Sequence, residues 1–577
     1  MKVRILAYQL AQYLKDQGVE IVFGLCGHTN IAFLDAMQEV GIRFITSRHE
    51  QVAAHMADGY ARVKGKPAVL LTHLGPGLTN AATGVANAAL DSIPMVVIAG
   101  DVPSHYFGRH PHQEVNLHLD ADQFEIYRPF CKRIWRVERP SEFPRVIERA
   151  FHTAQTGRSG AVLVDVPMDV FSADLPDGAF KILSPQKVNE AAISEETAHQ
   201  IAKSLVEAKS PVIHVGGGVL LGRASAELTE LVDWLAVPVT HTLMGKGAIS
   251  DTHPFNAGMT GFWGVPIAND LAKSSDLIFA AGTRFGETDS SSWDDRFTFK
   301  IPPTRLIHLD IDINEIGRNY PTELGAVGDV KSSFAKILIE VKKLLPQPRQ
   351  NPAMQEKIRS GRLNFSNRWA EQRVSPQFPL NPARILADLR TALPENGMIV
   401  TDVGWNKNGV GQQFPINIPG TFITPGGLAT MGFGPAAVLG VKLAAPDRKV
   451  VALVGDGAFS SNMSVMATAA ESNIGVTWVV MDNKAFGTIA LLEKSHYDTF
   501  YGTVFTRDGE PYDIEYAQVA KACGIEGIKV ESAVDLLPIL RSAIESGKPT
   551  LVHVPMENIP TPTPGYWNIN DIYRKGH

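Results

Sequence analysis

VVALVGDGAFSSNMSVMATAAESNIGVTWVVMDNKAFG, residues 450–487, decides the fold class. It opens on a continuous apolar and β-branched run, the pattern of a strand covered on both faces rather than one. Gly455-Asp456-Gly457 follows, two glycines that allow a sharp turn and a close backbone approach, with a carboxylate between them. A helical stretch leads to a second apolar run that ends at Asp482-Asn483. Asp456 and Asn483 are 27 positions apart, one strand–helix–strand crossover, so both side chains can emerge at adjacent strand ends. Oxygen ligands from Asp and Asn, joined by a backbone carbonyl and phosphate oxygens, suit Mg²⁺. An isolated GDG is ordinarily only a turn; the whole arrangement points to an anchored diphosphate.

The same alternation of apolar run, glycine and amphipathic stretch recurs along the chain. AVLLTH, MVVIAG and AVLVDVP come first, then PVIHVGG, LIFAAG and LIHLDID, then MIVTDVG, VVALVGDG, VTWVVMDN and TLVHVP. Pro-rich or polar connections interrupt it near 176–195 and 345–380. The fold expected is α/β, with three doubly wound parallel-sheet domains at 1–180, 190–345 and 375–555 and a C-terminal tail or lid at 556–577. In such folds ligands sit outside the carboxyl ends of the strands, so the loops just after the apolar runs carry the information.

Composition excludes several classes. A 577-residue chain with 44% hydrophobic and 20% charged residues can bury large cores and lacks the signature of disorder. A net charge of −6 with no long run of one sign offers no basic footprint for nucleic acid. Cys26, Cys131 and Cys523 fit no zinc spacing and form no disulfide framework, which suits a reducing cytoplasm. The start, MKVRILAYQLAQYLKDQG, has the mixed character of a surface helix rather than a signal peptide, and no apolar stretch is long enough to span a membrane.

The strand–GDG–helix–strand–DN arrangement resembles the diphosphate motif of thiamine diphosphate enzymes, which implies coenzyme contacts at Gly455, Asp456, Gly457, Ala458 and Asn483. The Mg²⁺ ligands would be Asp456, Asn483 and the Ala485 carbonyl. Asp482 departs from the Asn usual in that family. FITSRHEQVAAHMADGYARVKGKPAVLLTHLGPGLTN, from residue 44, looks like the pyrimidine domain of the same enzymes. Its Glu50 would protonate the coenzyme's pyrimidine, making the exocyclic amine a base for the thiazolium C2 proton. An isolated Glu there would simply be an acid in a first helical turn.

The order of domains resembles acetohydroxyacid synthases and their relatives, and the site residues resemble most closely 2-hydroxyacyl-CoA lyases and cyclic 1,2-dione hydrolases. ITPGGLATMGFGPAAVLG at 423–440 matches the synthase segment whose methionine, here Met431, props the coenzyme into its bent shape, with Gly427 beside it. The resemblance implies a homodimer or homotetramer with active sites between subunits. PVIHVGGGV, AGTRFGET and HLDIDINEIGRN resemble a second nucleotide site, with Gly216 and Gly217 at a phosphate turn, Arg284, and Asp310 at a ribose position. Relatives hold FAD or ADP there without net redox, and the sequence leaves the choice open.

Five further residues bear on the substrate. His28 in GLCGHTN and His73 in LLTHLGPG stand where dione hydrolases, benzaldehyde lyase and benzoylformate decarboxylase carry histidines, and a histidine can shuttle a proton near neutral pH. Gln113 matches the glutamine that faces the thiazolium in synthases. Leu492 replaces the Trp of acetolactate-forming enzymes, and Glu493 aligns with the lyase glutamate that takes the substrate hydroxyl proton. These residues imply a C–C lyase and carboligase that cleaves a 2-hydroxyacyl-CoA to formyl-CoA and an aldehyde or ketone. The alternatives are acetolactate-type carboligation of pyruvate and hydrolysis of a cyclic 1,2-dione.

Overall fold

In the computed structural model, which describes residues 3–116, 122–180 and 191–574, the apolar runs form three six-stranded sheets in which every neighbouring pair is parallel. The first contains β1 (Ile21–Gly24), β2 (Arg43–Thr46), β3 (Ala68–Thr72), β4 (Met95–Asp101), β5 (Arg133–Arg136) and β6 (Ala161–Pro167), in the order β2-β1-β3-β4-β6-β5. The second contains β7 (Pro211–Val215), β8 (Val239–His241), β9 (Asn256–Met259), β10 (Leu277–Ala281), β11 (Arg305–Asp310) and β12 (Leu324–Val327), in the order β9-β8-β7-β10-β11-β12. The third contains β13 (Met398–Thr401), β14 (Phe422–Ile423), β15 (Val450–Gly455), β16 (Thr477–Asp482), β17 (Glu526–Lys529) and β18 (Thr550–Pro555), in the order β14-β13-β15-β16-β18-β17.

The first and third sheets therefore share one strand order, while the middle one has the order of dinucleotide-binding folds. The central strands of all three are buried throughout, as continuous apolar runs require. Of the first linker, residues 181–190 lie outside the described residues, as do 575–577 of the tail. Across the second linker, a helix at Pro352–Ser366 places Ile358 and Phe365 in the core of the middle domain. Among the described residues no helix is long and apolar enough to cross a membrane.

The helices that position the site are α1 (Glu50–Lys64), α2 (Pro76–Leu90), α3 (Trp405–Gln413), α4 (Phe433–Ala444), α5 (Asp456–Ser461) and α6 (Gly487–Tyr497). His49 caps α1, its Nδ1 accepting from the Gln51 N–H at 3.2 Å, and Pro76 opens α2 at a position where its missing N–H costs nothing. α1 and α4 are buried along most of their length and pack against each other, so a single apolar core runs from the first sheet into the third. The crossing depends on glycine. A Cβ on Gly440 would stand 1.8 Å from the Met56 carbonyl oxygen, and one on Gly59 would stand 2.3 Å from that of Ala437.

Beside the crossing, buried Arg62 donates to Asp58 and Asp91 at 2.6 Å each and to the Thr424 carbonyl at 3.2 Å. Asp91 in turn accepts from the Gly426 and Gly427 N–H groups. Each buried charge is thereby paired and hydrogen-bonded, the condition under which such a network persists. The substitution Gly440→Ala is expected to cost about 1–3 kcal/mol through backbone overpacking, seen as a lower midpoint in thermal unfolding. An unchanged midpoint would show that the two helices can separate freely.

Candidate active site

At the carboxyl ends of β1 and β3 the strand order of the first sheet reverses, and four of the expected residues lie around that point. β1 leads through Gly27 to His28, and β3 leads directly to His73. The two imidazoles meet edge to face at 4.6 Å between ring centres. Gly27 makes this possible, because a Cβ there would lie 2.2 Å from the His73 ring. His73 Nε2 is 3.0 Å from Gln113 Oε1, an acceptor, which places the proton on Nε2 and leaves Nδ1 to accept from Thr29 Oγ1 at 2.7 Å. Burial, aided by nearby His28 and opposed by the Gln113 bond, holds His73 below the ordinary histidine pKa, so it is neutral at pH 7. Gln113 sits at φ +66°, a conformation non-glycine residues rarely adopt. Glu50, the first residue of α1, is buried and accepts from Asn80 Nδ2 at 3.0 Å.

The third sheet repeats the device between β13 and β15. Asp402, just past β13, accepts from the Val403, Gly432 and Gly434 N–H groups and so ties the strand end to the Met431 segment. Asp456, just past β15, accepts from the Gly457 N–H at 2.7 Å through Oδ1, while its buried Oδ2 has no hydrogen-bond partner among the described residues. Burial first, then neighbouring Asp482, push the Asp456 carboxyl up to about 8. Burial also disfavours ionised Asp482, but the His553 bond at 2.9 Å and the neighbouring Asp456 and Asp513 carboxyls outweigh it and hold that carboxyl low. A hard divalent cation satisfies this arrangement: it would occupy the free Asp456 oxygen and displace the proton that crowding puts there. Asn483 and Ala485 line the same cavity, so the residues present fit Mg²⁺ and a diphosphate.

That cavity, about 1400 Å³, continues from Asp456, Asn483, Met431 and Gly427 to the strand ends of the middle domain. Gly216, Gly217, Arg284 and Asp310 line its far side, along with Gly455, Gly457 and Ala458 on the near side. Gly216 packs so closely on the turn after β10 that a Cβ would lie 2.2 Å from the Gly282 carbonyl oxygen. Burial pushes Asp310 up to about 6. The tail crosses the cavity. Thr561, Thr563 and Trp567 line it, and Trp567 stacks on Phe262 at 5.1 Å with an 8° interplanar angle.

Two expectations separate from the rest. Glu50, His28, His73 and Gln113 do not line this cavity. Arg62, which does, lies twelve residues further along α1 than Glu50, about 18 Å at 1.5 Å per residue. Glu493 is absent from the wall as well, although Leu492 and Ser495 belong to it. Both Glu493 carboxylate oxygens accept from the Tyr501 N–H at 3.0 Å, and Thr503 Oγ1 donates to one at 2.6 Å, so the side chain closes its own loop. The residues that sequence reasoning missed are Asp402, Lys407 and Asn408 on and beside α3, and the Asp482–His553 pair. MIVTDVG, like VVALVGDG, is an apolar run that ends on an aspartate with a glycine close behind, and that likeness was the available signal for Asp402.

Comparison with known proteins agrees with this geometry along the whole chain. Residues 5–126 match the N-terminal TPP binding domain of thiamine pyrophosphate enzymes, 198–337 their central domain and 402–554 their C-terminal TPP binding domain. A probable acetolactate synthase large subunit of Methanococcus aeolicus is 34% identical over 572 residues, covering 95% of this chain and 91% of the relative. The acetolactate synthase isozyme 1 large subunit of Escherichia coli (strain K12) is 34% identical, covering 94% and 92% respectively. An acetolactate synthase of Arthrospira platensis is 35% identical, covering 91% and 89%. With the likeness spanning nearly every residue, the chain belongs to the thiamine pyrophosphate enzymes, among the acetolactate synthase-like members of that family.

Proposed function

We propose that the protein is a thiamine diphosphate- and Mg²⁺-dependent carboligase of the acetolactate synthase type, acting on pyruvate or a related 2-oxo acid. The observation that carries this choice is Glu493. The lyase reading needs that carboxylate free to take a substrate hydroxyl proton, and here it is bound by Tyr501 and Thr503. Full-length relatives named as acetolactate synthases support the same choice. Cleavage of a 2-hydroxyacyl-CoA remains the second reading, favoured by Leu492 in place of Trp and by the paired histidines.

Thiamine diphosphate supplies a thiazolium C2 carbanion that adds to a carbonyl carbon. The chain's own residues set the conditions for that addition. Glu50 would donate a proton to a ring nitrogen, and Asn80 holds its carboxylate in place. Asp456, Asn483 and the Ala485 carbonyl would hold the metal, and Met431 would support the ring system from the cavity wall. Neutral His73, with its proton on Nε2 toward Gln113, can donate there and accept at Nδ1 through Thr29, which suits proton transfer near the reacting oxygen.

The separation along α1 also supports an assembly in which Glu50 of one subunit meets Asp456 of another across a two-fold axis. The middle-domain strand ends would hold a second nucleotide, FAD or ADP, facing the same cavity.

With thiamine diphosphate and Mg²⁺ added, pyruvate should be consumed with release of CO₂ and formation of acetolactate, while 2-hydroxyisobutyryl-CoA and cyclohexane-1,2-dione remain unchanged. Cleavage of the CoA ester with pyruvate inert would transfer the assignment to the lyase. Glu50→Gln should lower kcat/KM by at least about 10²-fold. Asp456→Asn should weaken coenzyme binding by at least about tenfold, measured by fluorescence titration. Assayed at a coenzyme concentration that saturates the wild type but leaves Asp456→Asn largely unloaded, an equal mixture of these two impaired variants, dissociated and reassembled, should reach about a quarter of wild-type activity, since half the dimers then carry one intact site. No recovery despite confirmed exchange of subunits would place both residues in a site within one chain.

A further inference from the structure

The first turn of α3 lines the cavity with polar groups that the protein itself leaves unanswered. Lys407 is only 7% exposed, yet no carboxylate among the described residues stands within ion-pair distance of its ammonium group. The three acids around it, Asp91, Asp402 and Asp289, are engaged elsewhere. Asp91 accepts from Arg62 and two backbone amides, Asp402 from three backbone amides, and Asp289 from the Leu243 N–H. Asn408, 1% exposed and on the same wall, has neither amide atom hydrogen-bonded, and the indole Nε1 of Trp405 is likewise without a partner. The ammonium thus lines the cavity without a partner, while the amide and the indole of the same helical turn are unanswered but lie beneath the surface, with no accessible area of their own.

A buried ammonium without a counter-ion is costly, and unsatisfied buried donors add to the cost, so the arrangement suits a ligand that brings acceptor oxygens and a negative charge. A carboxylate has only acceptors and binds such a donor set. The helix N-terminus adds the same sign of field. Asp289, which lines the same cavity, accepts from the Leu243 N–H and makes no ion pair with the lysine.

We propose that Lys407, backed by Asn408, forms the subsite that holds the carboxylate of the 2-oxo acid substrate, and so determines specificity for anionic over neutral carbonyl compounds. The inference rests on the 2-oxo acid reading above and names the residues that would recognise that acid. The same donors could serve a phosphate oxygen of the coenzyme, and the test separates the two sources.

The probe pair is oxamate and its neutral analogue oxamide, titrated by calorimetry into the enzyme assembled with thiamine diphosphate and Mg²⁺. In Lys407→Gln, oxamate should bind at least about tenfold more weakly, oxamide should be unaffected, and coenzyme affinity should stay within about twofold of wild type. Lys407→Arg, which keeps the charge, should restore oxamate binding to within about threefold. Should Lys407→Gln not fold, Lys407→Met offers an apolar replacement of similar length for the same titrations. Equal loss for oxamate and oxamide, or no loss for either, overturns the carboxylate assignment. A tenfold loss of coenzyme affinity with oxamate binding retained assigns the donors to phosphate and overturns it too. If the wild type consumes no 2-oxo acid, the parent reading fails and this inference falls with it; if pyruvate is turned over but Lys407→Gln still distinguishes oxamate from oxamide, the inference alone fails.

Discussion

The backbone-to-backbone crossing of α1 and α4 is the constraint on which the remaining geometry depends. Gly59 and Gly440 let two buried helices from different domains approach until carbonyl oxygens occupy the space of a Cβ. The first and third domains share an apolar core as a result. Arg62 then has buried carboxylates from α1 and from the end of α2 within reach, and through Asp91 it fixes the Gly426–Gly427 turn on the cavity wall. A charge network of this kind is sensitive to small displacements, because a partner withdrawn by an ångström leaves a buried ion uncompensated. The apolar crossing supplies the rigidity and the ions supply the register.

That crossing also explains why the chain holds two separate strand-end clusters. α1 begins at Glu50, beside the histidine loops, and approaches its end at Arg62, on the wall of the diphosphate cavity. A rigid helix keeps its ends apart by its own length. The two clusters arise from the same topological rule applied twice. Where strand order reverses, the loops leaving adjacent strands diverge and open a crevice. His28 and His73 occupy that crevice in the first sheet, and Asp402 and Asp456 occupy its counterpart in the third. The middle sheet, with a different strand order, contributes glycine turns at its own reversal between β7 and β10.

Glu493 and Lys407 show how contacts from elsewhere in the chain change what a residue type suggests. Glu493 has the neighbours of a catalytic acid in sequence, but the loop that follows α6 returns over it and consumes both oxygens. Lys407 lies in WNKNGVGQQ, a stretch without an evident motif, and becomes notable only because folding buries its charge without a partner. In both cases the deciding fact is which groups the chain brings within hydrogen-bonding distance from elsewhere.

The sequence by itself determined the class of fold, the presence of three sheets, and the character of the diphosphate site. Parallel strands buried on both faces must be written as continuous apolar runs, and a backbone that approaches a phosphate must carry glycine, so GDG, GPG and GGG are visible without coordinates. Asp456 and Asn483 were legible because local spacing puts them at strand ends, whereas Glu50 and the two histidines stood out only through the resemblance to thiamine diphosphate enzymes. The tertiary structure alone decided the strand orders, the glycine crossing, the pairing of Asp482 with His553, the engagement of Glu493 and the isolation of Lys407. Those properties depend on contacts between residues far apart in the chain, and the energy of a buried charge or a helix contact is set by the neighbours that folding supplies, which no local pattern encodes.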